Sequence, residues 1–395
     1  MKIIRSELDK RLDVQIDKSI RADGVNGIMK FGDENDYPQR MERIIYSSAT
    51  AKASAGIYAK FLIGDGFNAD INKIVVGYDS RNKKITIRHL LSQIAKSISF
   101  NNGAYIHLNL NLNGEIGNAQ HLLFKNCRFS KLDDTGYTAK IGYYENWEKE
   151  KGTEYKKNKI RWYNVFNLNK KALESQIQEV GIEKYKGQVY FMFLDDQYVY
   201  PLSPFDSVYI DSDTEYQISL HKNNEVRNGF TEKTVFQVNE QLGEEIKNVL
   251  ANDIKGFMGS RGSKALVVET ETDENGNIIE NKSMKIDKIE SNIDSDLYKD
   301  WDSGLANKIR KTLMIPKVLI DPDESKLGTT SGEAIKQATE FFNQMTKDDR
   351  TAIGEMFKEI FSNSENEILK NNVDWTIKEL SLYGATINTS TTAGS

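Results

Sequence analysis

Cysteine is nearly absent from this sequence, since Cys127 is the single one among 395 residues. A lone thiol excludes a disulfide framework and a cysteine-based zinc site, and it is typical of proteins kept in a reducing compartment. Proline is also scarce, with five residues, which excludes a proline-rich linker protein. The four histidines lie far apart in the sequence, with no pair at metal-ligand spacing.

Long apolar runs are missing as well. The longest, residues 189–194, is far shorter than the ~18 residues that a membrane-spanning helix needs. The first residues alternate charges instead of forming the apolar core of a secretory signal. We therefore expect a protein without a membrane partner, made and kept in the cytoplasm or in an assembly built there.

The overall charge is slightly acidic, with 53 Lys and Arg against 58 Asp and Glu. A formal net charge of −5 makes the chain as a whole unattractive to nucleic acid. The 18 Tyr and 17 Phe exclude a disordered acidic chain, and the mean hydropathy of −0.57 suits a globular one. At ~150 residues per domain, the length predicts two or three domains.

Helical spacing comes early in the sequence. Residues 1–37 look irregular, and Pro38 suits the first turn of a helix, in which apolar residues recur until Gly64. A second amphipathic helix is predicted from residue 87 to about 101. Alternating apolar residues at 106–112, followed by Asn113-Gly114, predict a β-hairpin.

The rest of the first two thirds predicts short strands and turns to about residue 235. It includes one brief helix near 168–180, a solvated loop at 148–159 and a buried strand at 189–194.

The last third predicts helix, hairpin, helix, loop and interrupted helix. The first two helices cover about 242–258 and 293–315, with a hairpin tip at 273–277 between them and Pro316 ending the second. A loop at 317–330 leads into a helix that polar residues 346–350 interrupt. Apolar side chains expected to pack the two helices are Leu242, Ile246, Val249, Ile254, Leu297, Trp301, Leu305 and Ile309.

The candidate motifs for catalysis or cofactor binding each lack residues that the motif requires. The glycines at 256–262 follow a helix and lack the phosphate-loop pattern, and the segment from Asp321 lacks the glycine and the last glutamate of a calcium loop. Cys127 would need a neighbouring base to act as a nucleophile. His107 falls on the polar face of a strand, so a surface or hydrogen-bonded role is expected. We predict no catalytic residue, no metal and no cofactor.

Three groups of segments stand out in the sequence: 31–38 with 57–67, then 185–188 with 200–204 and 227–230, and finally 307–316 with 326–333 and 339–346. In the third group, a helix ends in Ile-Pro, and a loop and a long helix with an early glutamate follow. In this order the three segments resemble the portal proteins of tailed bacteriophages, most closely those of phages from Bacteroidetes-type hosts. The similarity covers roughly residues 30–380.

The resemblance implies an α+β portal fold and a ring, usually of twelve copies, at one capsid vertex of the virion. A mixed α/β wing, a two-helix stem, a β-hairpin clip, a tunnel loop and a kinked-helix crown make up such a subunit. The clip and the crown would be shorter here than in larger members of the family. The corresponding ranges are wing 1–238, stem helix 239–262, clip 263–290, stem helix 291–315, tunnel loop 316–330 and crown with tail 331–395.

The resemblance also implies partners and contact residues. Genomic double-stranded DNA would pass through the ring, and terminase, a head–tail adaptor and the major capsid protein would bind it. An alternative is another ring-forming head–tail connector, and a more distant one is a nucleic-acid-processing enzyme. Tunnel-loop residues expected to face DNA are Lys317, Lys326, Thr329 and Thr330; clip residues expected to dock partners are Glu269, Glu271, Asp273, Glu274 and Asn275.

Overall fold

A computed structural model describes most of the chain. The described residues fall into two compact units, one within Met1–Ser212 and Ala306–Ser395, the other within Asp213–Leu305. The predicted ranges of the wing, stem, clip, tunnel loop and crown stay predictions. The described ranges are 18–24, 26–32, 34–111, 113–147, 160–195, 199–227, 233–238, 284–289, 295–321, 329–371 and 373–381.

Helices and strands are mixed throughout, which confirms the predicted α+β class. The strands are β1 (Ile20–Asp23), β2 (Ile28–Phe31), β3 (Val75–Tyr78), β4 (Lys84–Thr86), β5 (Gly103–Leu110), β6 (Ile116–Leu122), β7 (Cys127–Phe129), β8 (Lys140–Tyr143), β9 (Arg161–Val165), β10 (Gln188–Phe193), β11 (Lys233–Val238) and β12 (Met284–Ile289). The helices are α1 (Tyr37–Ser47), α2 (Ala49–Ile63), α3 (Ala69–Asn72), α4 (Ile87–Asn101), α5 (Lys170–Val180), α6 (Tyr209–Arg227), α7 (Ser295–Lys311), α8 (Lys317–Ile320), α9 (Thr329–Met345), α10 (Lys347–Phe361) and α11 (Glu367–Lys370).

A six-stranded sheet in the order β6-β5-β10-β9-β8-β7 forms the centre of the first unit. The predicted hairpin is present as β5 and β6, joined across Gly114, whose φ of +79° is the left-handed conformation that glycine adopts without strain. The predicted buried strand is β10, which pairs antiparallel with β5 and parallel with β9. Because β5 lies inside the sheet, six of its eight residues are buried.

Capping residues and backbone conformation set the ends of the helices in the first unit. Pro38 lies in the first turn of α1, as predicted. The predicted single helix to Gly64 is instead two, because Ser48 adopts an extended conformation and its hydroxyl accepts a hydrogen bond from Ala51 N, capping α2. The helix predicted at 87–101 is α4, which ends at Asn102 in the left-handed conformation.

Two apolar cores lie on the two faces of the sheet. Ala104, Ile106 and Leu108 pack into one core with α2, α4 and α10, and Tyr105 packs into the other with β7 and α1. Both faces of the sheet are thus covered, and this is why a strand with alternating polar residues is buried on both sides.

Several predictions of local structure were wrong. Part of the irregular N-terminal segment is a hairpin, β1 paired with β2, whose turn signals Asp23-Gly24 and Asn26-Gly27 were overlooked. The stretch predicted as strands and turns to 235 contains the 19-residue helix α6. Its apolar residues are too sparse for a helical stripe, since Ile218 is its only buried hydrophobic side chain among those described.

The second unit contains one antiparallel pair, β11 with β12, in which Lys233 is opposite Ile289 and Val238 opposite Met284. This pairing was not predicted. Lys222 and Asp302 form an ion pair in this unit. The solvated loop at 148–159 and the hairpin tip at 273–277 lie outside the described residues. Among the helices that are described, none is long and apolar enough to cross a membrane.

Candidate functional site

Three aromatic rings from distant segments stack in the core of the first unit. The centroid of the Phe31 ring lies 4.3 Å from that of Tyr37 and 4.8 Å from that of Tyr200, with interplanar angles of 24° and 14°. All three side chains are buried. Phe31 and Tyr37 belong to the first portal-like segment and Tyr200 to the second, so two of the segments meet here.

Both tyrosine hydroxyls are hydrogen-bonded on each side. Tyr200 donates to Met29 O at 2.8 Å and accepts from Phe129 N at 2.8 Å. Tyr37 donates to Asp206 at 2.8 Å and accepts from Ser203 N at 3.1 Å. Burial, and then the charge of Asp206, hold the pKa of Tyr37 far above its ordinary value, so the phenol stays protonated.

Arg128 forms hydrogen bonds to Asn35 in the turn at residues 32–36 of the first segment. The sequence analysis did not identify Arg128 as a functional residue. Its guanidinium is 1% exposed. Nε donates to Asn35 Oδ1 at 2.6 Å, Nη2 donates to Asn35 O at 2.8 Å and Nη1 donates to Cys127 O at 2.7 Å. Asn35 has φ +56°, a left-handed conformation that these bonds stabilise. The polar turn at 32–36 is therefore part of the core's architecture.

The third portal-like segment packs into the same core as the three stacked rings. Ile309 is fully buried among the side chains that surround Tyr37 and Tyr200. Thr312 donates to Pro204 O at 3.1 Å, and its hydroxyl lies 3.1 Å from that of Ser207. We call Phe31, Tyr37, Tyr200, Ile309 and Thr312 the motif cluster, since each of the three portal-like segments contributes to it.

The chain forms a turn at residues 312–314, shortly after Ile309. Helix α7 ends at Lys311, four residues before the predicted end at Ile315, because Met314 adopts the left-handed conformation with φ +53°. Arg310 Nη1 donates to Ile315 O at 2.9 Å and closes the turn. Ile315 is 1% exposed and lies in the core on the opposite face of the sheet. The Ile-Pro turn is thus held between two cores.

The predicted tunnel-loop residues are only partly a loop. Lys317 is exposed at the start of the short helix α8, and Thr329 and Thr330 are the first residues of α9. The prediction of a loop from 317 to 330 was therefore wrong at both ends. Lys326 lies outside the described residues.

The predicted stem residues have different environments. Ile309 packs into the core of the first unit, and its predicted packing against the other stem helix stays a prediction because residues 239–262 lie outside the described part of the chain. In the second unit, the side chain of Trp301 is 49% exposed and Leu305 is half-buried. The remaining predicted stem and clip positions lie outside the residues whose side chains are described: Leu242, Ile246, Val249, Ile254, Leu297, Glu269, Glu271, Asp273, Glu274 and Asn275.

The predicted interruption of the last long helix is confirmed, since α9 ends at Met345 and α10 begins at Lys347. Arg350 is 4% exposed beneath this break. Its guanidinium donates to Thr346 Oγ1 at 2.6 Å and to Asn343 O at 2.8 Å, so it satisfies polar groups that the break exposes.

Two titratable side chains considered in the sequence analysis, Cys127 and His107, are buried in the described core. Cys127 is buried, and burial raises the pKa of its thiol, which stays protonated. Of the two roles predicted for His107, the structure has the hydrogen-bonded one: the ring is buried, with Nε2 2.6 Å from Lys186 O and Nδ1 2.9 Å from Gln120 Nε2. Among the described residues, no group of three His, Cys, Asp or Glu side chains could hold a metal ion.

Comparisons with known proteins give structural similarities only. No protein-family model matches the chain, and no curated protein matches it. It is similar to a chain in the "Virion of native gene transfer agent (GTA) particle", with a TM-score of 0.49, 11% identity and coverage of 83% of this chain and 81% of that one. It is also similar to a chain in the "Neck of native GTA particle computed with C12 symmetry", with a TM-score of 0.46, 11% identity and coverage of 83% and 82%.

A third similar structure is an HK97 family phage portal protein from Corynebacterium diphtheriae. The TM-score is 0.35 and the identity is 9%, over 75% of this chain and 83% of that one.

Proposed function

We propose that this chain is the subunit of a phage-type portal, a ring at one capsid vertex through which DNA enters and leaves. The observation that carries the proposal is the motif cluster. Three segments that resemble portal proteins, far apart in the sequence, meet in one buried core through Phe31, Tyr200 and Ile309. Chance matches scattered over a chain have no reason to converge.

The order of elements after the cluster supports the same proposal. A helix, an Ile-Pro turn, a short helix, a long helix and a break follow one another from Ser295 to Phe361. Apart from the short helix, which replaces the start of the expected tunnel loop, this is the order that the resemblance implies for the second stem helix, the tunnel loop and the kinked crown helix. The turn is held between two cores, so it provides a stable base for whatever the segment after Pro316 contacts.

The net charge of the chain suits a channel through which DNA slides. Twelve copies at −5 each give a ring that is strongly negative, so DNA would slide through it without uniform attraction to the wall. In this proposal the subunit is a structural ring component and uses no cofactor. Terminase, the head–tail adaptor and the major capsid protein would bind its outer surfaces.

Imaging of the purified full-length chain by negative-stain electron microscopy tests the proposal. We expect rings with an axial hole and a single subunit number, twelve by the resemblance. Native mass spectrometry at micromolar concentration is the companion measurement. A chain that stays monomeric in both measurements would overturn the portal proposal and favour a nucleic-acid-processing enzyme. Rings that never join a capsid would favour another connector.

A further inference from the structure

A long groove on the first unit lies outside the motif cluster and the Ile-Pro turn. It consists of two adjoining hollows of about 550 and 820 Å³ that share Gln93 and Lys96 on α4. The first hollow lies between α1, α2, α4 and the end of β6, and the second continues along α4 to Lys73. We call the whole feature the α4 groove.

The floor of the α4 groove is apolar and smooth. Ala55, Gly56 and Ala59 of α2 line it with small side chains, and a Cβ added to Gly56 would meet nothing within 4 Å. At its edge Tyr46 is 59% exposed and Leu123 51% exposed. A DNA backbone has no need of such a surface, whereas a protein segment buries apolar side chains against it.

The rim of the groove is basic. Its balance is +4, because six basic side chains and the carboxylates of Glu42 and Asp65 line it. The chain as a whole has a formal net charge of −5, so the rest of it carries −9. A second copy of this chain is therefore charge-complementary to the groove. The basic residues are Lys52, Lys60, Lys73, Arg88, Lys96 and Lys125.

Two polar atoms among the lining residues add a further observation. Gln93 Oε1 and His121 Nε2 are buried and have no hydrogen-bond partner among the described residues. Leaving such atoms unpaired is costly, and the polar main-chain groups of a bound protein segment would pair them once the side chains turn toward the groove.

We infer that the α4 groove receives an acidic, partly apolar surface of a second copy of this chain. The inference rests on the proposed function, because a ring of identical subunits needs two different patches that fit each other head to tail. Here one patch is the groove of one subunit, and the other is an acidic surface of its neighbour. Apolar contact over Gly56, Tyr46 and Leu123 gives the interface its area, and the lysines on the rim select the orientation.

Two groove variants test the inference in the full-length protein. Gly56→Trp should fill the floor, and Lys60→Glu with Lys96→Glu should reverse the rim. Each should weaken ring formation about tenfold or more, measured by native mass spectrometry over a concentration series. Gly56→Ala is the matched control for the first variant. Lys171→Glu with Lys184→Glu, both exposed and outside the groove, makes the same change in net charge as the second.

The outcomes separate the two proposals. Wild-type protein that never forms rings overturns both the portal function and this inference. Wild-type rings with undiminished assembly of Gly56→Trp and of the groove charge reversal overturn the inference alone, as does equal loss in the groove and control charge reversals. Intact rings that have lost DNA or adaptor binding would assign the groove to that partner instead.

Cross-linking supplies a measurement that does not depend on how well a variant assembles. Because Cys127 is buried and is the chain's single cysteine, Gly56→Cys creates one accessible thiol for a photoreactive benzophenone label. Irradiation should join two copies, with the second attachment near Asp or Glu residues. Cross-links only within one copy would overturn the inference.

Discussion

The ring of Tyr200 stacks on the ring of Phe31, with 4.8 Å between the ring centroids. The Tyr200 hydroxyl forms hydrogen bonds with two different backbone segments. It donates to Met29 O and accepts from Phe129 N, at 2.8 Å in both cases. One buried side chain therefore connects strand β2, strand β7 and the segment that precedes α6.

Replacing Tyr200 by Phe keeps the stack and removes only the hydroxyl. Two buried backbone groups then lose a partner, so we expect the free energy of unfolding to fall by about 1–3 kcal/mol. Urea unfolding followed by circular dichroism measures the change. Tyr137→Phe is the control, because Tyr137 is 72% exposed and its substitution should change stability by less than about 0.5 kcal/mol. Equal stability of the Tyr200 variant and the wild type would contradict this account.

Trp301→Asp should weaken ring assembly without unfolding the subunit. The indole is 49% exposed in one chain, so burial against a neighbouring copy would account for a large apolar side chain at this position. We expect a loss of a few kcal/mol per interface if it is buried there. Native mass spectrometry reports the loss, with Ser303→Asp on the same helix as the control. Rings of normal stability would show that Trp301 lies outside the interface.

Lys317→Glu and Lys326→Glu should leave rings and empty capsids intact and should impair DNA packaging. In a ring, one lysine per subunit becomes a circle of positive charge that can contact successive phosphates weakly. The packaged genome length, measured by gel electrophoresis of capsid DNA, is the readout. Lys171→Glu is the control for an exposed lysine elsewhere. Genomes of full length in both variants would exclude a role of these lysines on DNA.

Deletion of residues 272–277 should preserve the ring and abolish binding of terminase or adaptor. The segment carries the carboxylates of Asp273 and Glu274 and the amide of Asn275, which suit a polar, acidic docking surface. Pull-down of both partners with purified rings measures the effect. Replacement of 272–277 by a neutral Gly-Ser linker of equal length is the control that separates charge from loop length. Unchanged binding of both partners by the deleted ring would remove the clip from the docking surface.

Stability should fall in mild acid because of His121. Burial lowers its pKa to about 4, whereas the unfolded chain has the ordinary value of about 6.5. Because only the unfolded state binds a proton between these values, the folded state loses stability as the pH falls through this window.

The expected loss from His121 is about 2 kcal/mol between pH 7 and pH 5. Burial also lowers the pKa of His107. Urea unfolding at the two pH values measures the loss, and His121→Gln should reduce it. His89→Gln, at an exposed position, should leave it unchanged. An equal acid loss in the His121 variant and the wild type would contradict the assignment.

Local features were predictable from the sequence because neighbouring residues determine them. The Asn113-Gly114 turn, the span of α4 and the break after Met345 each depend on turn chemistry, capping or periodicity within about ten residues. Helix α6 escaped the same reasoning, since its sparse apolar residues leave no stripe to recognise. The end of α7 was misplaced because Met314, and not Pro316, adopts the conformation that stops the helix.

Only the tertiary structure decided which residues share a site. The cores that pack on both faces of the central sheet bury His107, whose position on the polar face of a strand predicted either a surface or a hydrogen-bonded role. The same sheet brings Phe31, Tyr200 and Ile309 into one core, although each lies in a different segment. Residue patterns specify what a strand or helix can bury, but contacts between distant segments depend on strand order and packing, which no local pattern encodes.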